Sequence, residues 1–153
     1  MYRTTHVAAL AAAGMMATLA APAHALEHRV IIEHPEGPVQ ADYTGTTRLE
    51  TRQAGTPAPG GRFATLRCHW SVSLAVERTA AIGATLQARR SMAQPGVVKG
   101  SVPGRCEARR EGIWRMVEAR RPELRAAMMA MVAQDRDMLL AEASQSRVRL
   151  RES

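Results

Sequence analysis

The chain contains no asparagine, one lysine (Lys99), two cysteines, two tryptophans, two tyrosines and one phenylalanine in 153 residues. Each shortage excludes something. Two cysteines cannot build a disulfide-dense mini-protein or a four-thiolate zinc site. Aromatics at 3% supply few stacking platforms, and Tyr43, Phe63, Trp70 and Trp114 all lie outside basic runs, which argues against nucleic-acid binding. No uninterrupted apolar run reaches the roughly 20 residues that span a bilayer as a stable helix. There is no nucleophile elbow, no Gly-rich phosphate loop and no His-Glu-x-x-His helix.

What is present is an apolar fraction of 46% and a formal net charge of +7. The chain is too apolar for wholesale disorder, and its length suits one domain. The charge comes from arginines dispersed among acids, a compositional bias rather than a concentrated basic face. It leaves weak attraction to anionic envelope surfaces as the expected electrostatic consequence.

Residues 1–25 read as a secretory signal peptide. Arg3 provides the positive end, Val7 to Ala20 the apolar run, Pro22 the break, and Ala23-His24-Ala25 the small-x-small cleavage pattern. Cleavage after Ala25 is favoured over cleavage after Ala23, where Pro22 sits beside the cut. No twin-arginine pair lies in this segment and no cysteine lies near the cut, so ordinary export without a lipid anchor is expected. The product is a single mature domain, residues 26–153, in the periplasm or secreted.

Within that domain the apolar period changes. Residues 28–101 read mainly as strands. Arg29 to Glu33 is a β-branched run closed by Pro35, Gly37 and Pro38. In the threonine-rich stretch 41–53, Thr47, Leu49 and Thr51 share one face and Arg48, Glu50 and Arg52 the other. Gly55 to Gly61 forms a Pro/Gly connector. Leu66, Cys68, Trp70, Val72, Leu74 and Val76 then alternate with polar residues, and this strand is predicted to pair antiparallel with 41–53. Residues 84–92 fit a strand or a helix. Gln94-Pro95-Gly96 signals a turn, and 97–101 a last short strand.

Residues 105–147 read as helical. Ile113, Met116 and Val117 form one stripe, and Leu124, Met128, Met131, Val132, Met138 and Leu139 continue it. Pro122 either kinks one helix or starts a second. Asp135 interrupts the stripe, so imperfect packing or a snorkelling carboxylate is expected there. From Ser144 the tail is polar and expected to fray. The predicted fold is α+β: an antiparallel meander of four to five strands packed against one or two C-terminal helices.

Cys68 and Cys106 both lie in the exported part and are expected to form a disulfide that staples sheet to helix. Their spacing does not suit a redox-active pair, which favours Cys-x-x-Cys. Cleavage after Ala25 would place His28 third from a free amine. That amine, two amides and the imidazole form a square-planar nitrogen set for copper(II) or nickel(II), with His34 as a further ligand. Met128, Met129 and Met131 carry soft thioethers, but their helical spacing favours core packing. His69, Ser71, Ser73 and Glu77 share a strand face, but neighbours about 7 Å apart do not exchange protons directly. Asp135 and Asp137 do not share a helix face. No catalytic residue or cofactor-binding set is assigned. The expected role is a non-catalytic binding or structural envelope protein with an unidentified envelope or protein partner; the alternative is a periplasmic copper/nickel-binding protein.

Overall fold

The computed structural model describes residues 26–35, 37–56, 65–82 and 86–151. Residues 1–25, read above as a signal peptide, and most of the Pro/Gly connector lie outside the described residues. Four strands, β1 (Leu26–Ile32), β2 (Val39–Ala54), β3 (Arg67–Ile82) and β4 (Leu86–Pro103), precede two helices, α1 (Cys106–Ala119) and α2 (Arg121–Arg151). The strands form one antiparallel sheet in chain order, β1-β2-β3-β4. The predicted α+β meander is the observed fold.

Alternation builds the sheet. On β2, Val39, Ala41 and Tyr43 turn inward; on β3, Cys68, Trp70, Val72, Leu74, Val76 and Ala80 do the same. β2 and β3 pair over their whole lengths, Val39 opposite Ile82 and Ala54 opposite Arg67. β1 covers only the first part of β2, from Ile32 opposite Val39 to Leu26 opposite Gly45.

Of the ambiguous stretch 84–92, residues 84–85 lie outside the described residues and 86–92 are strand, paired with β3; the expected turn at Gln94-Pro95-Gly96 does not divide them from 97–101. Instead β4 is continuous through an irregularity. Val72 lies opposite Val98 and Leu74 opposite Gln94, so Ser73 faces the extra residues of the longer strand. The Gly96 amide donates to Ser73 Oγ at 3.5 Å, and Gly96 takes φ +60°, which an L side chain rarely adopts. Turn-forming residues have made a bulge here because strand pairing resumes on both sides.

Pro122 starts a second helix. It lies in the first turn of α2, where its missing N–H has no intrahelical partner to lose. The helices cover one sheet face with Ile113, Val117, Leu124, Met128, Met131, Val132, Leu139 and Ala143. Two expectations fail: Met138 of the stripe is exposed, and the polar stretch from Ser144 is helical through Arg151. Met129 is also exposed, so only Met128 and Met131 of the methionine group fill the core.

Cys68 and Cys106 are bonded, with an S–S distance of 2.09 Å. The bond joins the inner face of β3 to the first residue of α1. Gln53 secures the same corner. Its Oε1 accepts the Cys106 amide at 2.9 Å, and its Nε2 donates to the Arg67 and Gly104 carbonyls at 2.9 and 3.2 Å. The first turn of α1, which has no side-chain cap from Arg105, is thus capped from β2.

Candidate functional site

The most chemically loaded place in the described structure is inside it. β3 alternation continues past Val76, so Arg78 points into the core between Val76 and Ala80, and its side chain is fully shielded. A guanidinium in such a place needs anions and acceptors. α2 supplies them. Arg78 Nη1 donates to Asp135 Oδ2 at 2.8 Å, and Nη2 donates to Glu142 Oε2 at 2.5 Å. Asp135 and Glu142 are seven positions apart, two turns of α2, and so share the face that meets the sheet.

Two neighbours complete the cluster. Tyr43 on β2 donates its hydroxyl to Asp135 Oδ2 at 3.1 Å. Arg90 on β4 brings Nε to 3.4 Å from Asp135 Oδ1 from a partly exposed position. Burial pushes the Tyr43 phenol up to about 12, and the Asp135 carboxylate adds to the shift. Arg78 Nε and Asp135 Oδ1 remain buried without a hydrogen-bond partner. The two cations and two anions balance. The expectation that Asp135 snorkels or packs loosely is overturned: it is 3% exposed and anchors α2 to three strands at once. Asp137, as expected, does not join it.

Arg78 and Glu142 escaped the sequence reading. Their signals were available in principle. Strand parity places Arg78 inward once the alternation is followed beyond Glu77, and an acid in an apolar helical stripe requires a cation.

A shallow cleft between β4 and α2, lined by Arg90, Met92, Gln94, Met131 and Gln134, leads down to Asp135. The arrangement holds ions and orients a helix. Its hydroxyl, that of Tyr43, is already donated to Asp135.

His28 lies on β1 opposite Tyr43, and its neighbours Leu26 and Glu27 are also in the ladder. A square-planar site using the amine and two amides there would draw one of the two consecutive amides away from pairing with β2, since successive amides of an edge strand alternate between its neighbour and its open side. His34 follows the strand, and its Nε2 lies 3.5 Å from Ser144 Oγ on α2. About 13 Å of strand already separates His28 from Ile32, so the two imidazoles are not brought together. Among the described residues no group of three or more His, Cys, Asp or Glu side chains is placed to hold a metal.

His69 and Glu77 are exposed on the open sheet face, with Ser71 and Ser73 half-buried between them. His69 faces Arg52 and Ser101 on the neighbouring strands, and Glu77 faces Thr44 and Ser91. They stay strung along β3 as the spacing predicted. Among the described residues, no helix is long and apolar enough to cross a membrane. Comparison with protein-family models, characterised proteins and solved structures found no match for this chain.

Proposed function

We propose that this chain is exported and works as a non-catalytic binding or structural protein of the cell envelope. The observation that carries the reading is the Cys68–Cys106 disulfide, because such bonds persist in oxidising compartments. The cleavable-looking segment 1–25 supports the same destination. A binding or structural role is supported by how the reactive side chains are employed. Arg78, Arg90, Asp135 and Glu142 neutralise one another where α2 meets the sheet, with Tyr43 hydrogen-bonded to Asp135, and His69, Ser71 and Ser73 are dispersed along an open sheet face.

Intact mass and N-terminal sequencing of the protein from fractionated cells test this. The expected product is periplasmic or secreted, begins at Leu26 and weighs about two hydrogens less than its reduced form. A cytoplasmic, full-length chain with two free thiols would overturn the reading.

A further inference from the structure

β1 ends its pairing at Leu26 opposite Gly45, yet β2 runs on to Ala54. From Thr46 to Ala54, β2 therefore has a strand neighbour only on its β3 side among the described residues. An unpaired edge with free N–H and C=O groups is a template for another strand unless it is blunted. The opposite edge, β4, carries such protection in its Pro95-Gly96 bulge, Lys99 and Pro103. The outer edge of β1 is short, and its central Arg29 already holds Asp42. The open part of β2 contains no proline and no bulge, and it alternates Arg48, Glu50 and Arg52 on its exposed face.

The geometry points to this edge as a homodimer interface in which β2 pairs antiparallel with β2 of a second copy, joining two sheets into one of eight strands. Sterics and charge together select the register. Leu26 occupies the outer side of Gly45, so an incoming β2 must end before that position. Ending it opposite Thr46 would set Glu50 against Glu50 and Arg48 against Arg52, which like-charge repulsion disfavours. Moving it two residues along sets Ala54 opposite Arg48, and then Glu50 meets Arg52 twice across the two-fold axis, with Thr51 against Thr51 and Leu49 against Gln53. Every pair couples two odd or two even positions, as antiparallel edge hydrogen bonding requires. One further step shortens the ladder and sets Arg52 against Arg52. Glu50 also has Arg48 of its own chain at 3.5 Å, so the two-fold arrangement links charges of alternating sign along the seam. The partner for the proposed binding role is thus a second copy of this chain, and the contact is isologous and closed. It rests on that role only for its setting; export is read in cells and self-association on pure protein, so either can fail alone.

The experiment is sedimentation equilibrium of the purified disulfide-bonded protein and four variants, with circular dichroism as the folding control. The wild type and Arg48→Ala are expected to dimerise alike. Glu50→Arg and Arg52→Glu each raise the dimer dissociation constant about tenfold, since each places two like-charged pairs across the axis. The double variant Glu50→Arg/Arg52→Glu restores dimerisation, as does mixing the two single variants. A wild type that stays monomeric, or a dimer indifferent to Glu50 and Arg52 reversal, would overturn the proposal.

Discussion

Arg78 and Asp135, 57 positions apart in the chain, meet at 2.8 Å with both side chains withdrawn from solvent. Removing one member of such a pair strands the other charge. Asp135→Ala should therefore lower stability by about 3–5 kcal/mol, whereas the apolar double variant Arg78→Met/Asp135→Leu should recover much of that loss. Urea denaturation measures both. A single-variant loss under about 1 kcal/mol would show that water reaches the pair.

Tyr43 makes the fold sensitive to alkali. Its phenol is raised from the usual 10 to about 12, so the folded state favours the protonated form. That contribution is fully present below the unfolded value and disappears as pH rises through the folded value, a window of about pH 10 to 12. Phenolate absorbance should show this delayed titration. Tyr43→Phe should flatten the stability change in that window, and it should cost about 1.5–3 kcal/mol at neutral pH through the lost hydrogen bond to a charged acceptor.

Gly100 leaves room for Trp70. A Cβ at position 100 would stand 2.6 Å from the indole Cζ2 and 2.7 Å from Cε2. Gly100→Ala must displace a ring that is 4% exposed, and it should destabilise by about 1–3 kcal/mol. In the Trp70→Phe background, where the bicyclic indole and its Cζ2 are replaced by a single smaller ring, the same substitution should cost markedly less. Thermal melts of the four proteins decide it.

Loss of the covalent staple should be costly. Cys68 and Cys106 are 38 positions apart, and Cys68→Ser/Cys106→Ser should lower stability by about 2–4 kcal/mol. Equilibrium unfolding of the folded variant against the oxidised wild type supplies the comparison.

Much of this architecture was legible in the residues. Alternation from Cys68 to Val76 located the central strand and its buried face, because period two is enforced wherever one sheet face is covered. The same rule located Cys68 on that face, and Cys106 at the helical boundary followed from the change of period. Gln94-Pro95-Gly96 misled because turn chemistry is local, and a bulge uses the same backbone conformations as a turn. Asp135 misled because an acid in an apolar stripe can be read only with its partner, and Arg78 comes from another element. Gln53 was illegible for a related reason: its three hydrogen bonds go to carbonyl and amide groups that only tertiary structure brings together.

The Cys68–Cys106 link also closes a covalent ring that contains most of β3 and all of β4. A protease that cuts the backbone once anywhere inside that ring releases nothing. The two pieces stay joined through sulfur, and the nicked molecule keeps its mass but for one added water. Such a cut becomes visible as separate fragments only after reduction, so survival in a protease-rich compartment does not require every loop of the ring to resist cleavage.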